Sequence, residues 1–195
     1  MSYGRPTDSQ IREISKAIQG KHVHDLGAGD LYLSRKLLDW GASKITAIDS
    51  ASDVPVQNVQ NLIDRIHVIQ KHFDDIPGTN INTAFVSWPS NYVNGILRLL
   101  KKASTIIYLG CNVNGTVCGT TELFEYLINR EVLTHLPHTR NTLIIYGPGM
   151  VKRAPFYEED AALNMSNGSP WSWPPKSGGP NTRRIVTNMK TGQFG

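Results

Sequence analysis

The sequence predicts an α/β fold in which a mostly parallel sheet carries helices on both faces. Short apolar runs alternate with helical patterns along the chain, which is the order that builds such a sheet. A glycine turn, Gly27-Ala28-Gly29, follows the first apolar run, and Asp49 closes the second. Since ligands of open parallel sheets bind at the carboxyl ends of the strands, these features predict a binding site.

Residues 22–49 read as strand, glycine turn, helix and strand, and the rest of the chain is arranged around them. The apolar runs at 23–26 and 45–48 are the strands, and leucines at helical spacing lie between them. Gly27 and Gly29 have no Cβ, so a ligand can approach the main chain closely there. The amides that open the following helix point toward the same place.

Two acidic residues and a tyrosine separate the ligand classes that use this geometry. A dinucleotide site requires a third small residue in the pattern G-x-G-x-x-G/A, where this chain has Tyr32. Asp25, two residues before Gly27, could instead meet a cationic group. Asp49 stands where a carboxylate would accept hydrogen bonds from two ribose hydroxyls. A ligand with a ribose but no pyrophosphate fits this set.

The chain resembles the class I S-adenosylmethionine-dependent methyltransferases over about residues 21–110. It carries their first motif as Asp25-Leu26-Gly27-Ala28-Gly29, with Asp49 closing the second strand. The resemblance implies a single-domain Rossmann-like methyltransferase fold with a mostly parallel seven-stranded sheet, methyl transfer as the reaction, and S-adenosyl-L-methionine as the cofactor. The cofactor contacts that it implies here are Asp25, Gly27, Ala28, Gly29, Asp49 and Ser50.

The family's third motif resembles the stretch IHVIQKHFDDIP, which begins at the predicted third strand, 66–69. Where the family has an acidic residue against the adenine amine, this chain has His72, with Phe73 beside it. The imidazole could accept the hydrogen bond, and Phe73 could pack on the purine. Asp74 or Asp75 would take that role in a shifted register, and otherwise His72 is an ordinary loop histidine.

The loop after the fourth predicted strand, 83–86, is the candidate substrate site. Its sequence, SWPSNY, loosely resembles the (D/N/S)-P-P-(Y/F/W) motif of methyltransferases that act on exocyclic amines of nucleic-acid bases, although it lacks the second proline. We therefore expect Ser87, Trp88 and Pro89 to border the reacting methyl group, with Ser87 also contacting the cofactor. The alternative is a loop that merely turns at Pro89.

The remaining pattern predicts one domain spanning residues 1–195, with an N-terminal helix region at 1–20 and a Pro/Gly/Ser-rich insert or lid at 148–182. The helix of this region is expected to pack on the sheet; the alternative is a cover for the cofactor site, to which Tyr3 and Arg5 could contribute. The further elements predicted in chain order are a helix that starts at Thr7 and ends before Gly20, a helix ending near Asp64, a helix over 93–100, a strand over 105–109, a helix around 124–128, a sixth strand over 142–146 and an antiparallel seventh strand over 184–187.

The composition permits an anionic partner without requiring one, since 20 Lys and Arg against 16 Asp and Glu give a net charge of +4. In the insert, Trp171 and Trp173 are interleaved with basic residues, a pattern typical of a nucleic-acid groove, whereas a solvated loop pinned by one tryptophan is the alternative.

The two cysteines, Cys111 and Cys118, indicate neither a disulfide scaffold nor a metal site. No run of eighteen apolar residues and no signal-peptide pattern occur, so we expect a cytoplasmic protein without a membrane partner.

The function that these patterns favour is methyl transfer from S-adenosylmethionine, with RNA or DNA as the favoured acceptor and a small molecule or protein as the alternative. A non-catalytic protein that binds the same cofactor is a further hypothesis, motivated by His72 and the imperfect substrate loop. An NAD-dependent oxidoreductase is disfavoured by Tyr32 and by the lack of a Tyr-x-x-x-Lys pair. The sequence does not indicate an oligomeric state.

Overall fold

A computed structural model describes residues 5–50, 64–77, 80–89, 95–110, 119–138 and 141–151 of the chain. All of these residues belong to one compact unit, Met1–Pro155. The prediction of one domain over the whole chain stays a prediction, because residues 152–195, with most of the insert, lie outside the described residues. Within the described ranges, no helix combines the length and the apolar character that crossing a bilayer would require.

The first helix, α1 (Asp8–Ile18), begins one residue after Thr7, which caps it as predicted. The Thr7 side chain accepts a hydrogen bond from the Gln10 amide, and the Gln10 side chain accepts one from the Thr7 amide, so two otherwise unpaired amides are satisfied. Ile14 and Ile18 are buried. Gln10 is only 1% exposed, and its Nε2 donates to the carbonyls of Leu136 and Asn141. The helix is thereby fixed to a segment more than 120 residues away in sequence.

Strand, turn, helix and strand follow as predicted. They are β1 (His22–Leu26), α2 (Tyr32–Asp39) and β2 (Lys44–Asp49), with the glycine turn between β1 and α2. The apolar side chains of α2 pack against the sheet, and Leu37 is fully buried. Gly41 has a φ of +112°, a conformation that suits glycine at the end of a helix.

The later elements mostly match the predicted positions to within a few residues. The third, fourth and fifth strands are confirmed, whereas the helix expected to end near Asp64 lies outside the described residues. In chain order these elements are β3 (Ile66–Gln70), a short 3₁₀ helix (Phe73–Asp75), β4 (Thr83–Ser87), α3 (Ile96–Leu100), β5 (Thr105–Gly110), α4 (Thr121–Ile128), β6 (Arg130–Leu136) and β7 (Thr142–Met150).

The strands form one seven-stranded sheet in the order β3-β2-β1-β4-β5-β7-β6. Neighbouring strands from β3 to β5 run parallel, and β7 runs antiparallel to β5 and β6. Asp25 on β1 is paired with Ala47 on β2 and with Phe85 on β4. The carboxyl ends of β1, β2 and β4 therefore lie side by side in the middle of the sheet, which is the predicted place for a ligand.

The strand predicted over 142–146 is confirmed, but its rank as the sixth strand is wrong. Residues 130–136 form β6, and the segment at 142–150 is the seventh strand and the antiparallel one. The sequence REVLTHL has no continuous apolar run because β6 is an edge strand with mostly half-buried side chains, and one residue separates it from α4. Residues 184–187, the predicted seventh strand, lie outside the described residues, while all seven strands of the sheet lie between residues 22 and 150.

A buried apolar cluster on one face of the sheet holds the central strands in register. It joins α1 and α2 to β1, β2 and β4 through side chains that are almost fully removed from water, among them Ile14, Val23, Leu37, Ile45 and Phe85. Burying such side chains supplies most of the favourable free energy of folding, at about 25 cal/mol per Å² of apolar surface. The glycine turn therefore connects two elements, β1 and α2, that this cluster holds in place.

Candidate functional site

The glycine turn rests on the end of β2 and leaves open space in front of it. The amides of Gly27 and Ala28 donate to the Ile48 carbonyl at 2.8 and 3.2 Å. Gly27 and Gly29 have φ values of +88° and +52°, in the left-handed region that favours glycine. A Cβ placed on either glycine would meet no atom within 4 Å. A ligand could therefore contact the main chain here. A side chain at either position would occupy the space that the ligand needs.

Asp49 is joined directly to this turn. Its Oδ2 accepts a hydrogen bond from the Gly29 amide at 2.7 Å. The residue is half-buried at the end of β2, and Ser50, which follows it, is exposed. The structure thus brings together the glycines and the carboxylate that the sequence had placed twenty residues apart.

Asp25 lies beneath the turn and is fully buried. Its Oδ2 accepts a hydrogen bond from Ser34 Oγ at 2.5 Å, while Oδ1 has no hydrogen-bond partner among the described residues. Burial raises the pKa of Asp25 to about 7; the Ser34 hydrogen bond opposes this rise, and the nearby Asp49 charge adds to it. A cation near Oδ1 would favour the ionised form.

The sequence interpretation missed Ser34. It lies on α2 and is fully buried, together with Leu37 and Leu38, on the face that packs against the sheet. A signal was present, because a serine stands three residues before Leu37 at helical spacing, where the pattern calls for an apolar residue. Only the structure shows that its hydroxyl reaches the carboxylate of Asp25.

Tyr32 opens α2 and contacts the N-terminal segment. Its amide donates to Asp30 Oδ1 at 3.0 Å, and the guanidinium carbon of Arg5 lies 5.6 Å from the centre of its ring. Asn141 Nδ2 donates to the Arg5 carbonyl at 2.9 Å, which anchors the segment. An aromatic ring and an arginine therefore lie where a dinucleotide site would have its third small residue.

His72 and Phe73 follow β3 and differ in exposure. His72 is about half exposed and precedes the 3₁₀ helix, with its Nδ1 accepting from the Asp74 amide at 3.4 Å. Phe73 is 3% exposed, so little of its ring is accessible to a ligand. Because Gln70 is paired with Asp49, His72 lies just beyond the carboxyl end of the strand next to β2.

Ser87, Trp88 and Pro89 leave the carboxyl end of β4, as predicted. Ser87 is half-buried, and the Trp88 amide donates to the Leu109 carbonyl at 2.8 Å. Pro89 is buried.

Trp88 has a φ of +48°, and Leu31, after the glycine turn, has a φ of +63°. These are the two positive-φ residues other than glycine within the described ranges, and both follow carboxyl ends of central strands, where strained residues often serve function. Residues 90–94 of the loop lie outside the described residues.

No family model and no curated protein sequence matches the chain. Among solved structures, it is similar to TrmK from M. capricolum in complex with S-adenosylhomocysteine, with 14% identity, a TM-score of 0.53, and coverage of 95% of this chain and 94% of that one. It is similar to magnesium protoporphyrin IX methyltransferase (ChlM) from Synechocystis with bound S-adenosylmethionine, with 13% identity, a TM-score of 0.56, and coverage of 73% and 77%. A proposed RNA methyltransferase from Pyrococcus horikoshii has 14% identity, a TM-score of 0.55, and coverage of 78% and 93%.

At these identities the likeness shows the fold. The chain has the Rossmann-like fold of class I methyltransferases, with a mostly parallel seven-stranded sheet, so the predicted fold class is confirmed.

Proposed function

We propose that the chain is an S-adenosylmethionine-dependent methyltransferase. The observation that carries the proposal is the open glycine turn between two carboxylates, Asp25 and Asp49, at the carboxyl ends of adjacent central strands. The similar structures from M. capricolum and Synechocystis were solved with S-adenosylhomocysteine and S-adenosylmethionine, respectively, which supports this cofactor.

The residues at the turn fit this cofactor. Asp49 would accept hydrogen bonds from the ribose hydroxyls, and the main chain at Gly27, Ala28 and Gly29 would allow close approach. Asp25 has a buried carboxylate oxygen without a partner among the described residues, which suits the cationic end of the molecule. Tyr32, in the first turn of α2, occupies the position of the third small residue of a dinucleotide site, which argues against NAD.

The adenine end would lie near the ends of β2 and β3. Ser50 follows Asp49 directly. The half-exposed His72 could accept a hydrogen bond from the adenine amine only in exchange for the bond that its Nδ1 accepts from the Asp74 amide, because a neutral imidazole has one acceptor nitrogen. Phe73 could support the purine only with the small part of its surface that remains accessible.

Methyl transfer would require mainly positioning from this chain. When bound, S-adenosylmethionine supplies a methyl group on a sulfonium, which is already reactive toward a nucleophile. Ser87, Trp88 and Pro89 lie at the carboxyl end of β4, which is hydrogen-bonded to β1, so they could align an acceptor with that methyl group. Proximity and orientation of this kind account for a large part of many enzymatic rate enhancements.

A nucleic acid is the acceptor that we favour. One similar structure is described as a proposed RNA methyltransferase, and Trp88 could stack on a base at the substrate loop. The net charge of +4 is compatible with an anionic acceptor. A small molecule is the alternative, because ChlM is a methyltransferase of magnesium protoporphyrin IX. The tryptophans of the insert lie outside the described residues, so they add nothing from the structure.

Titration calorimetry with S-adenosylmethionine, S-adenosylhomocysteine and NAD tests the cofactor. Binding of the first two without the third is the expected result, and binding of NAD alone would favour the oxidoreductase instead. Incubation with methyl-labelled S-adenosylmethionine and RNA, DNA or a cell extract then tests turnover. Cofactor binding without transfer to any of these acceptors would favour the non-catalytic binding protein.

The Trp88→Ala variant tests the substrate loop. We expect a lower turnover with nearly constant affinity for S-adenosylmethionine, because base stacking contributes about 1–3 kcal/mol. RNA or DNA binding should also weaken steeply as salt rises. If the wild-type protein binds no nucleic acid even at low salt, the acceptor is a small molecule or a protein.

A further inference from the structure

A buried hydrogen-bonded pair lies beneath the glycine turn. Asp25 and Ser34 are both fully buried, and Ser34 Oγ donates to Asp25 Oδ2 at 2.5 Å. Asp25 Oδ1 is out of contact with solvent and has no hydrogen-bond partner among the described residues. An ionised carboxylate with only one of its oxygens satisfied is poorly stabilised away from water. The carboxylate therefore lacks a partner that a ligand could supply.

The groups around Asp25 do not balance a negative charge. From α2 it receives the neutral hydroxyl of Ser34, and from β2 the nearby charged group is Asp49, which has the same sign. From β4 its paired residue is Phe85, a fully buried apolar side chain. His24, its neighbour in sequence, lies on the opposite face of the sheet because side chains alternate along a strand. No salt bridge to Asp25 occurs in the described part of the chain.

We infer that Asp25 and Ser34 form a proton switch that couples binding of the cationic end of the cofactor to the release of one proton. The inference rests on the proposed function. Below neutral pH, the buried carboxyl group of the ligand-free protein holds a proton. When a sulfonium or ammonium group meets Oδ1, the O–H bond of Asp25 breaks, the carboxylate pairs with the cation, and the proton passes to solvent. Ser34 is the positioning residue, because its hydroxyl holds Oδ2 and favours the ionised form.

The switch has a defined dependence on pH. The pKa of Asp25, raised by burial to about 7, means that below neutrality the carboxyl group must lose its proton before it can pair with a cation. Affinity should then fall about tenfold for each pH unit below that value and level off above it. Loss of the Ser34 hydroxyl removes a group that stabilises the anion, so the same curve should move to higher pH.

Titration calorimetry of S-adenosylmethionine between about pH 5.5 and pH 8.5, in pairs of buffers with different ionisation enthalpies, counts the released protons. For the wild-type protein we expect about one proton below the pKa and none well above it. Asp25→Asn, measured in parallel, accounts for titration of the ligand itself and should remove this release. Ser34→Ala should move the curve to higher pH, Ser34→Thr should restore it, and Ser15→Ala on α1 is the matched control.

The outcomes separate this inference from the proposed function. If the wild-type protein binds the cofactor but releases as many protons as Asp25→Asn, the switch is wrong and the proposed function stands. If the folded wild-type protein binds neither S-adenosylmethionine nor S-adenosylhomocysteine at any pH, both are wrong. An unshifted curve for Ser34→Ala would overturn the positioning role of Ser34. If Ser34→Ala does not fold, the comparison of wild type with Asp25→Asn still decides whether the switch exists.

A comparison of the two ligands also identifies the cation. S-adenosylhomocysteine has the ammonium group but no sulfonium. Equal proton release with both ligands would assign the ammonium group to Asp25, and release with S-adenosylmethionine alone would assign the sulfonium. Release with S-adenosylhomocysteine alone would overturn the inference.

Discussion

The two faces of strand β1 carry ionisable groups of opposite type. On the face toward α2, Asp25 is fully buried, and Asp49 closes the neighbouring strand. On the opposite face, the rings of His22 and His24 lie 4.5 Å apart, and Lys44 is paired with His22. Burial raises the pKa of Asp25 to about 7 and lowers the pKa of His24 to about 4, with His22 adding to the latter shift. Burial thus favours the neutral form of both groups.

The difference between the two faces lies in what surrounds each buried group. Asp25 is fully buried but stands two residues before the glycine turn, which leaves open space in front of the main chain, so a ligand bound there could supply the charge that the carboxylate lacks. His24 is 3% exposed and sits within the sheet, where the neighbouring ring of His22 bonds to Thr46. The same physical effect, desolvation, would therefore prepare a binding group on one face of the strand and affect only stability on the other. The glycine turn accounts for the difference.

The largest effect should come from closing the open space. Gly29→Val places a branched side chain where the ligand would lie and should weaken cofactor binding by on the order of 100-fold or more. Calorimetry measures the affinity, and circular dichroism checks the fold. The matched control is Gly20→Val, two residues before the start of β1, because Gly20 has a similar positive φ of +68° and equally open surroundings. It should carry a similar backbone strain and keep its affinity; equal losses in both variants would contradict the ligand-facing role of the turn.

Asp49→Ala should have the next largest effect. Loss of hydrogen bonds to a charged acceptor should weaken S-adenosylmethionine binding by about 1.5–3 kcal/mol. The variant also loses the bond from the Gly29 amide, so its thermal midpoint should be measured together with its affinity. Asp39→Ala, on the exposed end of α2, removes a carboxylate away from the turn and is the control. Unchanged affinity in a folded Asp49→Ala protein would rule out the ribose contact.

Asp25→Asn should stabilise the ligand-free protein at neutral pH while weakening its binding. The pKa of Asp25 is about 7 when folded and near 3.8 when unfolded, so the unfolded state loses its proton first and stability falls as pH rises from about 4 to 7. That difference in pKa corresponds to a destabilisation of at most ~4 kcal/mol at high pH. We expect about 2 kcal/mol at pH 8, because relaxation reduces such penalties. Denaturant unfolding at pH 8 and pH 4 measures it, and an equal gain at both values would contradict ionisation as the cause.

His24→Asn tests the histidine face of β1 and should give the smallest effect. The pKa of His24 is lowered to about 4 by burial, so the unfolded state gains its proton first and stability is lost as pH falls from about 6.5 to 4. Replacing the imidazole should reduce the stability lost between pH 6.5 and pH 4 by ~1 kcal/mol, without altering cofactor affinity at neutral pH. Denaturant unfolding at both ends of that range is the measurement. A change in cofactor affinity at neutral pH would mean that the two faces of β1 are coupled.

The carboxyl end of β1 was predictable because its signals are local. Two glycines, Asp25 and Asp49 have fixed spacings along a strand, turn, helix and strand, so their meeting follows from the pattern. The contact between Ser34 and Asp25 was not predictable in this way, because the rotation of α2 against the sheet decides which helical side chain reaches the strand. The ligand roles of Asp25, Asp49 and His72 stay predictions.

The other half of the sheet was harder to predict. The edge strand β6 has no continuous apolar run, because its side chains are half-buried. The left-handed conformation of Trp88 also has no sequence signal, since tryptophan rarely adopts it, and the hydrogen bond to the Leu109 carbonyl on β5 accompanies it. These features depend on contacts between strands rather than on the sequence of any one of them.

The side chain of Gln10 imposes an order on folding. Its buried amide bonds to the carbonyls of Leu136 and Asn141, separated from it by 126 and 131 positions in the chain. During synthesis, helix α1 leaves the ribosome long before the hairpin that satisfies this amide exists. Contacts between such distant residues close late and slow the search for the native state. The hydrogen bonds that fix Gln10 can therefore form only after the chain has been synthesised through Asn141, and a nascent chain cut short before β6 would lack both acceptors.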